Sequence, residues 1–252
     1  MFAAEALSDD KFLSGRLSLL QPLKGYRAAT DPVLLAAACP AKAGDGVLDL
    51  GCGAGAAALC LGQRVPGLHL AGLELQADYA ALARQNATRN GMALEVHEGD
   101  LARMPADLRR DFDHVIANPP YYPPGGSPSP IPGRARAMQV ATPLADWVTA
   151  ASRRLRPGGW LTLICGADGL PEVLAAIGKK LGSAAVLPLA PREGRPALRI
   201  LLQARKGGRA AFRLLPPFVI HQGPAHDGDR ESYTPAANAV LRDGADLLAA
   251  FR

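Results

Sequence analysis

Two short runs of this chain hold residue types and spacings suited to group transfer. The first is Asn118-Pro119-Pro120-Tyr121, after the apolar run Phe112–Ala117. A carboxamide oxygen and a neighbouring proline carbonyl are two hydrogen-bond acceptors, and both prolines fix φ. Aimed at the hydrogens of a conjugated amine, such acceptors favour pyramidal nitrogen and turn its lone pair outward. They also stabilise positive charge developing on that nitrogen. Tyr121 offers a face on which a planar base can stack. The second run is Asp49-Leu50-Gly51-Cys52-Gly53-Ala54-Gly55. Its glycines permit a sharp turn and close approach of backbone to ligand, and the helix behind them opens with unpaired N–H groups. Ala56 completes a dinucleotide-type pattern, so a nicotinamide enzyme stays open at this point. Asp49 with glycines at alternate positions fits a methyl-donor loop better.

Two further acids follow. Glu74 closes an apolar run and can accept from both hydroxyls of a ribose; alone, it reads equally well as a solvated acid at a strand end. Asp100 follows Gly99 and can accept from an exocyclic adenine amine, although a turn or N-cap aspartate is the simpler reading.

The elements that must position these groups alternate. Apolar runs predict strands at 47–50, 68–75, 94–97, 112–117, 160–165, 184–189 and 197–204. Helical spacing predicts helices at 31–39, 54–65, 77–90, 142–156 and 170–181, with Pro143 near one start and Pro157-Gly158-Gly159 after its end. The fold class expected is α/β: a Rossmann-like, seven-stranded, mostly parallel sheet with helices on both faces. Ligands bind such sheets at the carboxyl ends of the strands, which sets Gly51–Gly55, Glu74, Asp100 and Asn118 along one edge. Ahead of this unit, 17–19 and 21–23 read as a short hairpin. The expected organisation is a cover segment at 1–45, a donor-binding core at 46–205 and an extension at 206–252, together one domain. The Pro/Gly/Ser-rich stretch 121–133 is neither helix nor central strand.

The chain has 252 residues, 48% hydrophobic and 20% charged, a composition that excludes general disorder. It contains no apolar run long enough to span a membrane, and its beginning lacks the apolar core of a secretory signal. Cys39, Cys52, Cys60 and Cys165 form no CxxC pair, so each reads as a small buried hydrophobe in a reducing, cytoplasmic setting. The five histidines show no metal-ligand spacing, and no metal is expected. A net charge of +5 permits a polyanionic partner without demanding one. The oligomeric state is not legible.

With Asp49–Gly55, Glu74, Asp100 and Asn118–Tyr121 in hand, the chain resembles class I S-adenosylmethionine-dependent amino-methyltransferases. Within them it is most similar to the bacterial valine-tRNA adenine-N6 methyltransferases, which modify the adenine just 3′ of the anticodon. The likeness covers nearly the whole chain, including 13–37 and the C-terminal run SYTPAANAVLRDG. It implies that Gly51, Cys52, Gly53 and Gly55 cradle the amino-acid part of S-adenosylmethionine. Glu74 and Leu75 would hold its ribose, Asp100 and Leu101 its adenine. Tyr26, Arg27, Thr30 and Asp31 would lie near its methionine end, with Asp49 and Asn118 beside it. Asn118, Pro119, Pro120 and Tyr121 would hold the target base. A tRNA partner needs cations against its phosphates; Arg134 and Arg136, with Arg205 and Lys206, are the candidates, along with Tyr122 for contact to RNA. The insert after Tyr122 would fold over the base as a lid. The same NPPY run serves enzymes that methylate a protein glutamine, and other RNA or DNA substrates are further alternatives. A non-catalytic RNA-binding module is the reading outside enzymology.

Overall fold

We describe the protein from a computed structural model, which covers residues 2–120, 142–178, 180–223 and 232–252. The proline-rich insert with Tyr121, Tyr122, Arg134 and Arg136 lies outside the described residues.

The chain opens with an antiparallel hairpin, β1 (Leu7–Phe12) and β2 (Leu17–Pro22), and then enters α1 (Asp31–Ala38). This corrects the hairpin expected within 17–23: those residues supply one strand, and its partner is the polar run 7–12. The central unit follows as β3 (Gly46–Leu50), α2 (Ala56–Arg64), β4 (His69–Glu74), α3 (Ala77–Arg89), β5 (Leu94–Glu98), β6 (Phe112–Ala117), α4 (Leu144–Arg154) and β7 (Leu155–Gly166). It ends with α5 (Leu170–Ile177), β8 (Leu181–Arg192), β9 (Arg199–Lys206), the short strands β10 (Arg213–Leu214) and β11 (Phe218–His221), and α6 (Pro235–Leu241).

All seven expected strands are present. They lie in the order β8-β9-β7-β6-β3-β4-β5, and β10 and β11 add to the outer side of β8. Pairing is parallel from β7 through β5, while β9 runs antiparallel to both β7 and β8. Side chains alternate across the sheet. Val47 and Ile116 join the cluster that holds Leu34, Leu35 and Leu59 of α1 and α2. Leu48, Leu50, Val115 and Ala117 join Trp147, Val148 and Ala151 of α4. Pro157-Gly158-Gly159, expected as a turn after the helix, belongs to the irregular start of β7, where the register against β6 shifts.

Strand β3 has β4 on one side and β6 on the other, so the chain winds outward from β3 in two directions. Crossovers that leave in opposite directions open a crevice at the carboxyl ends of the two strands. Here those ends carry Gly51 and Asn118.

The hairpin is docked by side-chain amides. The edge of β2 away from β1 needs partners for its peptide groups, and α3 provides them one turn apart. Asn86, fully buried, accepts from Leu20 N–H at 2.8 Å and donates to Leu20 C=O at 3.0 Å. It also donates to Ala54 C=O in the glycine turn at 3.0 Å. Asn90 repeats the paired contact at Ser18, at 3.0 and 2.9 Å. Asn86→Ala leaves buried peptide groups unpaired, at about 2–3 kcal/mol. Thermal denaturation should show a Tm lower by about 5–10 °C.

Candidate active site

The glycine turn is shaped by neighbours on both sides. Gly51 has φ +66°, and a Cβ there would stand 2.5 Å from Cη2 of Trp147 on α4. No side chain fits, so the backbone lies directly on the indole. Cys52 N–H donates to Leu73 C=O of β4 at 3.0 Å, and Gly55 N–H to Cys52 C=O at 2.8 Å. The turn is thereby tied to β4 before α2 begins.

Glu74 completes the tie. Its Oε2 accepts from Gly53 N–H at 2.9 Å and its Oε1 from Gln76 N–H at 2.8 Å. Burial raises its pKa above the ordinary carboxyl value, against the pull of those N–H groups. Asp49 lies one strand away, and its Oδ2 accepts from Ala58 N–H in the first turn of α2 at 3.2 Å. Burial, with the charge of Glu74 adding to it, pushes its pKa up to about 8. No ion pair to Asp49 or Glu74 occurs among the described residues. Two buried carboxyls without a countercharge favour a cation placed beside them.

Asn118 follows β6 directly. Its side chain is partly exposed, and Nδ2 donates to the hydroxyl of Tyr26 at 3.2 Å. The Tyr26 ring in turn covers Gly53, 3.6 Å from where a Cβ would stand. Pro119 is buried and Pro120 exposed. The structure therefore brings Asp49, Gly51–Gly55, Glu74, Tyr26 and Asn118 to one crevice. Leu75, 60% exposed, borders the same edge. Asp100 sits past β5, where its Oδ1 caps a short 3-10 turn through Ala102 N–H at 2.9 Å; Leu101, in that turn, is partly buried.

Other expected site residues are engaged elsewhere. The Arg27 guanidinium is turned to the hairpin, donating to Asp10 Oδ2 at 2.6 Å and Ser8 Oγ at 2.8 Å. Thr30 and Asp31 open α1 and both meet Arg199, Asp31 as an ion pair. Arg205 and Lys206, expected among the RNA-contacting residues, lie at the end of the sheet away from the ligand edge. Because β9 runs antiparallel to β7, Arg199 lies opposite Gly166 at that edge and Arg205 opposite Trp160 at the other end. Seven residues of strand separate Arg199 from Lys206, about 24 Å. Lys206 donates to Leu155 C=O, and Arg205 covers the Trp160 ring.

Three contributors carry no signal in the sequence. Trp147 floors the glycine turn, Tyr79 grips Tyr26, and Arg199 pins the start of α1. Each acts through a contact between distant elements, with no motif around it. Among the described residues no group of His, Cys, Asp or Glu is arranged to hold a metal. All four cysteines are buried, as expected, and burial raises each thiol pKa.

The family described as methyltransferase small domain matches residues 29–186. A tRNA1(Val) (adenine(37)-N6)-methyltransferase of Dickeya chrysanthemi is 30% identical over 225 residues, 86% of this chain and 87% of the relative. The chain belongs to the tRNA1(Val) (adenine(37)-N6)-methyltransferase family. A release factor glutamine methyltransferase of Geobacter sulfurreducens is 34% identical over 138 residues, a match that spans 51% of this chain and 48% of that protein. Among solved structures, a predicted O-methyltransferase of Agrobacterium tumefaciens superposes with a TM-score of 0.69 at 27% identity, over 85% of this chain and 97% of that one. The protein is a class I methyltransferase whose cofactor is S-adenosylmethionine. The residues present fit that cofactor. It carries a sulfonium and an ammonium group, and the crevice offers two carboxyls without a cation, beside a turn with no side chain at Gly51 or Gly53.

The raised pKa of Asp49 links stability to pH. An acid at about 8 in the folded chain and 3.8 in the unfolded one binds more protons when folded between those values. Its contribution to stability is whole below pH 3.8 and is lost as pH rises through 8. Asp49→Asn keeps the acceptor for Ala58 N–H and removes this loss. Denaturation followed across pH should show a flatter slope and a Tm at pH 8 higher by about 2–6 °C, with donor affinity reduced at least tenfold by the same change.

Proposed function

We propose that this chain methylates the N6 nitrogen of an adenine in tRNA, the adenine just 3′ of the anticodon in valine tRNA, in the cytoplasm. The observation that carries this reading is the adjacency of Asn118-Pro119 to the glycine turn, bridged by Tyr26, whose hydroxyl meets the Asn118 carboxamide at 3.2 Å and whose ring covers Gly53. S-adenosylmethionine, when bound, supplies an electrophilic methyl on a sulfonium.

The protein's residues do the rest. Gly51 and Gly53 offer backbone without Cβ to the amino-acid part, and Asp49 gives a countercharge to its ammonium. Glu74 already accepts from Gly53 and Gln76 N–H groups, one on each oxygen. A carboxylate oxygen carries a second lone pair, which a ribose hydroxyl would use, so the acid would set both turn and sugar. Asp100 and Leu101 stand past β5, where the adenine of the cofactor would lie. Asn118 Oδ1 and the Pro119 carbonyl accept from the two hydrogens of the target amine. Those bonds strengthen as charge builds on nitrogen, and alignment of nucleophile and methyl supplies much of the rate. No strong base is required, because the methylated amine is acidic enough to release its proton to water.

An anticodon-loop adenine leaves its stack at a cost of a few kcal/mol. Lys24, Arg103 and Arg195 are exposed and carry no ion pair to another described residue. Arg103 and Arg195 follow β5 and β8, which end at the ligand edge, and Lys24 lies two residues before Tyr26; all three suit phosphates on the way to the crevice. They join Arg205 and Lys206 as candidates for contact to RNA. The chain works as one unit, with 1–45 covering the donor side of the 46–205 core and 206–252 packed behind it.

The test uses methyl-labelled donor with unmodified tRNA and, in parallel, with a bacterial release factor. Wild type should label tRNA, and Asn118→Ala should lower that rate at least a hundredfold while donor affinity changes less than threefold. Label entering only the release factor would move the acceptor from adenine to glutamine.

A further inference from the structure

We infer that the end of the sheet opposite the crevice is a second RNA surface, which holds phosphates of the tRNA body while the anticodon loop occupies the crevice. The inference rests on the functional reading above and deepens it, because it names where affinity for that substrate arises. The chain's positive charge is unevenly spread. The runs 153–158, 178–183 and 205–213 hold nine of its 28 Lys and Arg residues and no Asp or Glu. Outside them acids outnumber bases, 23 to 19. The crevice itself contains the buried carboxyls of Asp49 and Glu74. A polyanion binds through cations set against its phosphates, and the surplus of cations lies in these three runs.

The fold gathers the three runs into one surface. Helix α4 ends in Arg153 and Arg154 where β7 begins, and Lys180 stands directly before β8. Strand β9 arrives antiparallel to both, so its last residues meet their first ones: Arg205 lies opposite Trp160 and Lys206 opposite Leu181. Hydrogen bonds then tie the runs together. Lys206 donates to Leu155 C=O, Arg205 to Gly158 C=O at 3.0 Å, and Gly207 N–H to Lys180 C=O at 3.0 Å. Ala210 N–H donates to Ser183 Oγ at 3.0 Å. The backbones of Gly182 and Gly208 lie too close for a Cβ on either. Arg156 is held by Asp113 at 2.6 Å. Arg153, Lys180 and Arg209 are exposed and pair with no acid among the described residues. Like charges fixed side by side repel one another, and a polyanion relieves that repulsion. The surface stands about 24 Å from the crevice, the length of β9. Along one strand of a duplex a phosphate follows about every 3.4 Å, so a helix leaving the crevice reaches the surface after about seven nucleotides. The adenine just 3′ of the anticodon adjoins the anticodon stem, so the contact falls at the far end of that stem or on the body beyond it.

The test combines Arg153→Glu, Lys180→Glu and Arg209→Glu in the full chain. With whole unmodified valine tRNA, KM should rise at least tenfold, and its log–log dependence on salt should flatten by about 2. Donor Kd and kcat at saturating tRNA should stay within twofold of wild type, and Tm should fall by no more than 2 °C. A hairpin cut to the anticodon arm ends short of the surface. Its KM should differ less than twofold between wild type and variant, because charges so far from the crevice are screened at physiological salt. A tRNA KM within twofold of wild type overturns the inference. An equal rise for tRNA and hairpin also overturns it. Equilibrium binding of tRNA without donor keeps the two readings apart. If wild type places no methyl in tRNA, the functional reading fails; a tenfold weaker tRNA Kd in the variant then keeps the surface, and an equal Kd removes it. If wild type methylates tRNA and the variant matches its KM, only the surface fails.

Discussion

The carboxylate of Glu74 spans the gap between two strands. One oxygen holds Gly53 N–H in the turn after β3, and the other holds Gln76 N–H at the start of the turn into α3. A buried acid carrying two backbone bonds is a rigid joint, because freeing either N–H would strand a buried donor. The position of the glycine turn relative to β4 follows from it. From the other side, Trp147 blocks any movement of Gly51 toward α4. The turn is thereby fixed from both faces of the sheet before any ligand arrives.

A second constraint is topological. Only at β3 does the sheet wind away in both directions, and only there can a turn after one strand face a turn after its parallel neighbour across an open crevice. The glycines and Asn118 occupy those two turns. The hairpin and the segment leading to α1 close the crevice from above, and Asn86 connects both to the same joint by holding Leu20 and Ala54 together. The two turns proposed to hold donor and acceptor are thus held in one arrangement, which is what in-line transfer between two bound groups demands.

Much of this was legible in the sequence, and the exceptions have physical reasons. The central strands of such a sheet read as short apolar runs, and the seven runs read from the sequence matched seven strands. The motifs at Asp49–Gly55, Glu74 and Asn118 mark strand ends, so the fold that carries them also gathers them. Strand β1 escaped because its residues are polar: Asp9 bonds Ser18 and Lys11 and pairs with Arg89, so no apolar alternation marks it. The direction of β9 was not legible, because a basic strand end looks the same whichever way the strand runs. Only the antiparallel pairing of β9 shows that its first residue, not its last, meets the crevice. Tyr79, Trp147 and Arg199 act across distances of 53, 96 and 168 residues in the chain, beyond the reach of any local pattern.

The measurement that bears most directly on the central claim is the identity of the methylated nucleoside. Unmodified tRNA is incubated with the enzyme and S-adenosylmethionine, digested to nucleosides and resolved by mass spectrometry. The account predicts one new product, N6-methyladenosine, from the anticodon loop of valine tRNA. A methyl on a ribose oxygen or a base carbon would contradict it, since neither position presents the two hydrogens that Asn118 and Pro119 are proposed to receive.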